Sequence, residues 1–501
     1  MFEANHTAYL QAGAQCLLEG KAQVKAFTLD SRQADTNTAF IAFKGEKADG
    51  NDYVLQAIAQ GAPLVVMSRE ATAQELESAK DSSTALYFTH EPELYLQELA
   101  KLYRASLKAL VIGITGSVGK TSTKELCRAV CQTSYNTHAT EGNFNNALGV
   151  PLTILSTPED CEVLIVEMGM SARHEIDQLC SIARPQAGII SNVGQAHIGM
   201  LGSQDEVARA KAELIENLKP SLALERFGFS QSFAILNANN AFSKWIACAV
   251  APKVQVKVHL TANLDSISET VKVPNSKLAS YFEPYDYKEF ELCAKDIKLN
   301  EYAQTSFSLL DAARKTIAQA QLKLPGVHNV SNALLALELG RLLGLKLDKA
   351  LSAIASLDAK GGRQHMIETN SGLRIIDDAY NASPNSVRAA LKTLSQMQTQ
   401  GRKFAVLGDM KELGPKEREY HYNLGLVLVE SHIDKLVCVG ELSKEIARGA
   451  LDSGMNKDQI TLTQDAQEAL EFLQANVKAG DVCLIKASHS CGLDLIVKGL
   501  A

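Results

Sequence analysis

The sequence VIGITGSVGKTST, from Val111 to Thr123, decides the fold of this chain. The apolar run from Ala109 to Ile112 is typical of a strand buried inside a parallel sheet. Gly116 and Gly119 follow it, and a helical pattern then extends from Lys124 to Cys131. A strand, a glycine-rich turn and a helix N-terminus in this order direct backbone N–H groups and the positive end of the helix dipole at an anion. The stretch therefore predicts a phosphate-binding turn at the edge of a sheet.

Two side chains in this stretch suit a nucleoside triphosphate. Lys120 can reach the terminal phosphates, and the hydroxyl of Thr121 is a suitable ligand for Mg²⁺. The strict P-loop pattern has a further glycine where this chain has Ile114, so the match is to a shorter form. An ordinary strand-to-helix turn could show the same residues, but the flanking strand and helix favour binding of a nucleoside triphosphate. The predicted triphosphate-binding loop comprises Thr115, Gly116, Ser117, Val118, Gly119, Lys120, Thr121 and Ser122.

The composition is that of a globular protein with several domains. A chain of 501 residues exceeds the size of one core, and 46% hydrophobic with 21% charged residues is ordinary for a soluble protein. A net charge of −7 gives no electrostatic reason to expect nucleic acid or an anionic membrane as a partner. The ten cysteines include no C-x-x-C pair, and neither a secretory signal nor a membrane-spanning apolar run is visible. We therefore expect a cytoplasmic protein with reduced thiols, without nucleic-acid binding or membrane insertion.

Changes in the sequence pattern divide the chain into three units, at residues 1–100, 101–358 and 359–501. The first has short apolar strands and two polar clusters, Asp30-Ser31-Arg32 and Lys44-Gly45-Glu46. Because Asp, Ser and Gly favour turns for local reasons, these clusters by themselves predict turns. The other two units alternate strand and helix, which predicts parallel sheets with helices on both faces. The expected fold is thus α/β throughout, with three domains.

Polar residues follow several strands of the second unit. Glu167 comes directly after the strand VLIV, and Asn192 and His197 follow the strand AGII. Ligands of parallel sheets gather beyond the carboxyl ends of the strands, so these side chains should converge on the edge that holds Lys120. Glu167 could instead be a solvated strand end. Its position beside a P-loop, where a second ligand for Mg²⁺ is needed, favours a metal-binding role.

Lys211 is unusual because it shares a helix face with apolar residues. The segment from Ser203 to Leu218 predicts a helix that opens with a capping box to Glu206, and helical spacing places Lys211 on its apolar face. Lysine is rarely buried unless it is paired or used chemically, although its ammonium can also extend to water from a buried stem. The expected proximity of Glu167 and His197 favours a chemical role for Lys211.

The rest of the chain gives weaker patterns. Residues 252 to 310 alternate in VQVKVHL, ISETVKV and TSFSLL, which predicts antiparallel strands. The third unit has no P-loop, and Gly361-Gly362-Arg363 predicts a hinge at its start. Polar clusters follow three of its strands, beginning at Asp378, Gly408 and Lys486.

Together these segments resemble the Mur ligases of bacterial cell-wall precursor synthesis. The resemblance covers all three units in order, and it implies an N-terminal α/β domain for a UDP-linked substrate, a central P-loop ATPase domain with a parallel sheet, and a C-terminal Rossmann-like ligase domain. The motifs EGNFNN, DDAYNASP and LGDMKELG are similar to those of the family member that uses D-alanyl-D-alanine. Other matching motifs are FIAFKGEKADG (40–50), TGSVGKTS (115–122), EMGMS (167–171), NVGQAHIGMLGS (192–203), ARAKAEL (208–214) and HNVSNAL (328–334).

The resemblance also implies a role for individual residues. Lys120 would hold the β- and γ-phosphates of ATP, Asn332 would contact the adenine, Arg363 a phosphate and Asp378 the ribose. Lys211 matches the family's carbamylated lysine, whose carbamate adds a negative charge to the metal site. The implied catalytic residues are Lys120, His197, Lys211 and Arg363, and the implied Mg²⁺ ligands are Thr121, Glu167, His197 and Lys211 as its carbamate. The residues implied for the substrate are Ser31, Arg32, Lys44, Asn143, Asn145 and Asn146.

By this resemblance, the chain is expected to join D-alanyl-D-alanine to a UDP-muramoyl tripeptide with ATP and Mg²⁺, as a monomer. The family usually continues the last polar cluster as Lys-Gly-Ser-Arg, whereas this chain ends it with His489, which lacks the permanent bidentate charge of arginine. Three alternatives stay open at this point: a sibling Mur ligase, a ligase similar to folylpolyglutamate synthetase, and a nucleotide-dependent switch without ligase chemistry.

Overall fold

The computed structural model describes residues 6–20, 24–45, 48–266, 276–281, 290–359 and 362–501. Glu46 of the second polar cluster, the segment ISETVKV and Gly361 of the predicted hinge lie outside the described residues. Three separate sheets of five, nine and six strands form in chain order, each covered by helices, so the predicted three-domain α/β fold is confirmed.

The first sheet has the strand order β1-β5-β4-β3-β2. Only β1 runs antiparallel to its neighbour, β5, and the other pairs are parallel. Its strands are β1 (Gln15–Leu18), β2 (Ala26–Thr28), β3 (Thr38–Ile41), β4 (Leu64–Met67) and β5 (Ala85–Phe88), and the helices of this part are α1 (His6–Gln11), α2 (Val54–Ala59), α3 (Ala73–Ser82) and α4 (Pro92–Ser106).

The second sheet has the order β14-β13-β12-β11-β10-β9-β6-β8-β7, and the P-loop strand, β6, lies between β9 and β8. Its strands are β6 (Leu110–Thr115), β7 (Thr137–Ala139), β8 (Val163–Glu167), β9 (Ala187–Ile190), β10 (Phe233–Asn237), β11 (Lys257–Asn263), β12 (Leu292–Leu299), β13 (Gln304–Leu310) and β14 (Thr316–Pro325). The helices are α5 (Lys120–Cys131), α6 (Gly149–Leu155), α7 (Glu175–Ala183), α8 (Ile198–Leu201), α9 (Gln204–Glu216), α10 (Leu222–Arg226), α11 (Ala241–Trp245), α12 (His328–Leu342) and α13 (Leu347–Ser356).

Strand β6 is buried along its whole length because helices cover both faces of the sheet. Ile112 and Ile114 belong to the core under α5 and α12, whereas Val111 belongs to the opposite core under α9. At Gly113 the helix comes so close that an added Cβ would lie 2.6 Å from Leu214 Cδ1. This two-sided burial explains the continuous apolar run in the sequence.

The prediction of antiparallel strands across 252–310 is only partly right. Strand β11 runs parallel to β10 and β12 and so extends the P-loop sheet, whereas β12, β13 and β14 form antiparallel pairs. An alternating pattern of apolar and polar residues shows that one face of a strand is buried, but it does not show whether the strand runs parallel or antiparallel to its neighbours. An ion-pair network fastens this part to α12: Arg341 contacts Glu338 and Glu291, and His259 lies 3.3 Å from Glu338.

The third sheet has the order β15-β16-β20-β17-β18-β19, with only β15 antiparallel to its neighbour. The strands are β15 (His365–Glu368), β16 (Arg374–Asp377), β17 (Lys403–Gly408), β18 (Lys435–Val439), β19 (Ile460–Thr463) and β20 (Val482–Lys486), and the helices are α14 (Pro384–Gln396), α15 (Glu417–Leu426), α16 (Ser443–Asp452), α17 (Ala466–Asn476) and α18 (Asp494–Leu500).

None of the helices in the described part of the chain has the length and apolarity needed to cross a membrane.

Candidate active site

The predicted phosphate-binding turn connects the end of β6 to the start of α5. Helix α5 begins at Lys120, earlier than the apolar pattern indicates, because its first turn is polar. Gly119 has φ +80°, a conformation that glycine adopts readily. The side-chain oxygen of Asn192 accepts hydrogen bonds from the backbone N–H groups of Ser117 (3.1 Å) and Val118 (3.0 Å). Asn192, which follows β9, the neighbour of β6 in the sheet, therefore fixes the shape of the turn.

Lys120 lies across the mouth of this turn. Its Nζ donates a hydrogen bond to the carbonyl oxygen of Gly116 at 2.9 Å. Burial lowers the pKa of Lys120, and the nearby guanidinium of Arg363 lowers it further, while Glu167 opposes both. A bound anion would relieve this concentration of positive charge.

Glu167 ends strand β8 and is almost fully buried beside the P-loop. Thr121 Oγ1 donates a hydrogen bond to Glu167 Oε2 at 2.8 Å, and Asn145 Nδ2 donates one to Oε1 at 2.9 Å. A hydroxyl and a carboxylate oxygen thus meet at the start of α5, the type of hard oxygen ligands that Mg²⁺ prefers. Glu167 therefore lies at the P-loop edge of the sheet, as its position after a strand predicts.

His197 and Lys211 border the same region, and both lie in surroundings that disfavour their charged forms. Burial, with Lys120 and Lys211 nearby, lowers the pKa of His197 to about 4. Burial and the like charge of Lys120 lower the pKa of Lys211 well below its usual value. Lys211 is 1% exposed, and no carboxylate in the described part of the chain forms an ion pair with it, so its predicted burial is confirmed. A neutral imidazole is a metal ligand, and a neutral amine is a nucleophile.

The C-terminal domain supplies the opposite wall of the site. The guanidinium of Arg363 contacts Thr121 Oγ1 across the domain boundary and stacks 4.3 Å from the centre of the Tyr380 ring. Asp378 Oδ2 pairs with Lys486 Nζ at 2.7 Å. Burial raises the pKa of Asp378, and Lys486 acts in the opposite direction.

These walls enclose a cavity of about 590 Å³, a size typical of small-molecule sites. Most of the predicted site residues line it, and they come from the central and C-terminal domains together. The lining includes Ser117, Val118, Gly119, Lys120, Thr121, Ser122, Asn143, Asn145, Asn146, Glu167, His197, Asn332, Arg363 and Asp378.

Six predicted residues lie outside this lining. Thr115, Gly116 and Lys211 are close to it in sequence or space, whereas Ser31, Arg32 and Lys44 belong to the first domain. Ser31 Oγ donates to Gln56 Oε1 at 3.0 Å, and exposed Arg32 pairs with Asp30 at 2.7 Å. The contact between Arg32 and Asp30 matches the turn chemistry that the first polar cluster predicts, whereas the Ser31 bond joins residues 25 positions apart.

The cavity lining also includes residues that are absent from the predicted site, among them Asn192, Tyr380, Glu412 and Lys486. Asn192 follows a strand end and Lys486 ends one, which is a usable signal for residues at the ligand-binding edge of a sheet. Tyr380 and Glu412 lie in the motifs DDAYNASP and LGDMKELG. The contact of Glu412 with His197 depends on how the two domains meet, which no local pattern reports.

Comparison with known proteins agrees with this geometry. Family models match in chain order: the Mur ligase family catalytic domain at 23–104, the Mur ligase middle domain at 114–340 and the glutamate ligase domain of Mur ligases at 362–489. The UDP-N-acetylmuramoyl-tripeptide–D-alanyl-D-alanine ligase of Bacillus subtilis is 34% identical over 471 residues, which cover 94% of this chain and 92% of that protein.

Two solved structures have the same arrangement of domains. MurF from Acinetobacter baumannii superimposes with a TM-score of 0.77 at 26% identity, covering 99% of this chain and 98% of that one. MurF from Thermotoga maritima, solved in complex with ADP, gives a TM-score of 0.72 at 25% identity over 95% and 96% of the two chains. The chain therefore belongs to the Mur ligase family of ATP-dependent ligases.

Proposed function

We propose that this enzyme joins D-alanyl-D-alanine to UDP-N-acetylmuramoyl tripeptide with ATP, forming the UDP-muramoyl pentapeptide of peptidoglycan synthesis. The observation behind the proposal is the cavity in which the P-loop and Glu167 of one domain face Arg363 of another. The names of the Bacillus relative and of the MurF structures supply the substrates.

The residues around Glu167 fit Mg²⁺. Thr121 and Glu167 present oxygen ligands within hydrogen-bonding distance of each other, and His197 is held neutral beside them. We propose that these three residues hold the Mg²⁺ that neutralises the phosphates of ATP.

Lys211 fits a carbamate. Its amine is buried and shifted towards the neutral form, which is the form that captures CO₂. Carbamylation would convert this buried amine into an anion near the positive charge of Lys120, which is favourable by simple electrostatics. We therefore propose that Lys211 contributes an anionic oxygen ligand to the metal site.

The proposed reaction has two steps. A carboxylate oxygen of the tripeptide attacks the γ-phosphorus of ATP, the bond to the β-phosphate oxygen breaks, and an acyl phosphate and ADP result. The amine of D-alanyl-D-alanine then attacks the carbonyl carbon, inorganic phosphate leaves with the former carboxylate oxygen, and the nitrogen loses a proton. ATP and the tripeptide carboxylate are both anionic and repel each other. Lys120 and Arg363 would offset this repulsion, mainly because their positive charges are held close to the reacting groups.

The acyl phosphate must be protected from water, and the C-terminal domain is suited to that task. Its Arg363 reaches the P-loop, so ATP would lie between two domains that can enclose it. By the same proposal, Asn332 contacts the adenine and Asp378 the ribose.

The remaining assignments extend this proposal to the whole chain. We propose that residues 1–100 bind the UDP-sugar through Ser31, Arg32 and Lys44, that 101–358 bind ATP and that 359–501 close over it. Asn143, Asn145 and Asn146 would contact the peptide. One chain supplies both walls of the cavity, which supports a monomer as the working unit. All ten cysteines are free, which fits the proposed cytoplasmic location.

An omission assay tests the function. Phosphate release is followed with purified protein, ATP, Mg²⁺, UDP-muramoyl tripeptide and D-alanyl-D-alanine, leaving out one component at a time. We expect release only with all components present. Turnover that ignores D-alanyl-D-alanine, or that accepts a single amino acid equally well, would contradict the proposed substrate.

A further inference from the structure

A tight glycine contact joins the central and C-terminal domains beside the cavity. Gly199 lies in α8 of the central domain, and Gly414 lies in the C-terminal domain with φ +68°. An added Cβ on Gly199 would lie 2.4 Å from the Gly414 nitrogen, and one on Gly414 would lie 2.7 Å from the Gly199 Cα. Two backbones this close leave no space for a side chain, so the contact depends on glycine at both positions.

This contact places Glu412 next to His197. Glu412 Oε2 lies 3.0 Å from His197 Nδ1, although the two residues belong to different domains. The nitrogen is buried and forms no hydrogen bond with any described atom. The carboxylate lies off the N–H direction of the ring, and because its side chain is 61% exposed it can rotate into line.

The backbone of Glu412 is strained in the conformation that makes this approach. Its φ is +64°, a left-handed value that is uncommon for residues other than glycine. Such a conformation persists where surrounding contacts hold the residue in place. Here the buried side chain of Leu413 and the glycine contact do so.

We propose that Glu412 is a positioning residue for His197, and that it reaches His197 only when the two domains close. Its carboxylate accepts the Nδ1–H proton, which fixes the tautomer with a free lone pair on Nε2 and directs that atom at the cation. Metal-binding histidines generally donate their second ring N–H to such a partner, and losing the partner typically weakens metal binding about 10- to 100-fold. Domain closure and metal binding are thereby coupled.

This inference rests on the proposed metal-binding role of His197, but its test needs no peptide substrate. Binding of Mn²⁺, a spectroscopic substitute for Mg²⁺, is measured by electron paramagnetic resonance with a non-hydrolysable ATP analogue. The Mn²⁺ ion that His197 holds is identified as the ion whose binding is lost in the His197→Gln variant. Spin-echo spectroscopy then reports the nitrogen coupling of the ligating imidazole.

We expect Glu412→Gln to weaken binding of that ion about 10-fold or more, and Glu412→Asp to restore part of the affinity. The matched control is Glu419→Gln, because Glu419 is an exposed carboxylate of α15 with only a 4.0 Å contact to Lys416. In the double variant His197→Gln/Glu412→Gln, the second substitution should cost nothing more. Wild-type affinity in Glu412→Gln would overturn the proposal.

Gly199→Ala tests the dependence on closure. The added methyl group cannot fit against Gly414, so we expect a larger radius of gyration with nucleotide bound and the same loss of Mn²⁺ affinity as in Glu412→Gln. Full Mn²⁺ affinity in an open Gly199→Ala protein would overturn the coupling. If the Mn²⁺ results hold while the omission assay fails, the substrate assignment is wrong and the positioning role stands.

Discussion

Replacing Lys211 by alanine should nearly abolish ligase activity while the chain stays folded. Lys211 is 1% exposed, and the like charge of Lys120 adds to burial in lowering its pKa. An ammonium in this position would repel the metal ions that Thr121 and Glu167 are proposed to hold. A carbamate would instead add an anion to the site in which Glu167 contacts Thr121 of the P-loop.

The expected magnitude follows from the loss of that anion. Removing one well-placed electrostatic contact from an enclosed site typically costs about 2.7–4 kcal/mol, or roughly 10²- to 10³-fold in kcat. We expect a loss of this size for Lys211→Ala. A short carboxylic acid such as acetate should restore part of the activity, because it supplies a carboxylate in the space that the side chain leaves.

The assay is phosphate release with all substrates, with and without added acetate. Lys219→Ala is the matched control, since Lys219 lies just beyond the same helix and is exposed. Carbon-13 NMR with labelled bicarbonate should show a carbamate signal in the wild type that disappears in Lys211→Ala. A fully active Lys211→Ala protein, or a wild type without that signal, would refute the reasoning.

Three more substitutions test other parts of the site. Glu167→Gln should lower kcat about 100-fold and raise the Mg²⁺ concentration needed for half-maximal phosphate release, because it removes an anionic ligand; an unchanged Mg²⁺ requirement would contradict its role. Arg363→Ala should lower kcat about 10³-fold, and Arg363→Lys should restore little, because a point charge does not replace a planar guanidinium; full recovery with lysine would show that charge alone matters. Gly116→Ala should lower the melting temperature in thermal unfolding by roughly 2–4 °C, because the added Cβ would lie 1.9 Å from Ser191 Oγ. The control is Gly142→Ala, which should lower the melting temperature less, because no atom lies within 4 Å of the added Cβ.

The P-loop unit could be predicted from sequence because its signals are local. Both faces of β6 are buried, so the run from Leu110 to Thr115 is apolar without interruption apart from its last residue. The buried position of Lys211 followed from helical periodicity, which is likewise local. The capping box at Ser203 is only half formed: Ser203 caps Glu206 N, but the Glu206 side chain pairs with Arg173 and Arg209 instead.

Contacts between distant segments could not be predicted in the same way. Nothing near Asn192 in the sequence shows that it holds the turns of the P-loop, because the partners are 74 and 75 residues away. The approach of Glu412 to His197 depends on two glycines that meet across domains. The parallel direction of β11 depends on its neighbours in the sheet rather than on its own pattern.

The most direct test of ATP-driven ligation follows one oxygen atom. UDP-muramoyl tripeptide labelled with ¹⁸O in its terminal carboxylate is incubated with the protein, ATP, Mg²⁺ and D-alanyl-D-alanine, and the products are analysed by mass spectrometry. We predict UDP-muramoyl pentapeptide and an equal amount of inorganic phosphate, each phosphate containing one ¹⁸O from the carboxylate. Unlabelled phosphate, or phosphate released without pentapeptide, would contradict the acyl-phosphate mechanism and the ligase function with it.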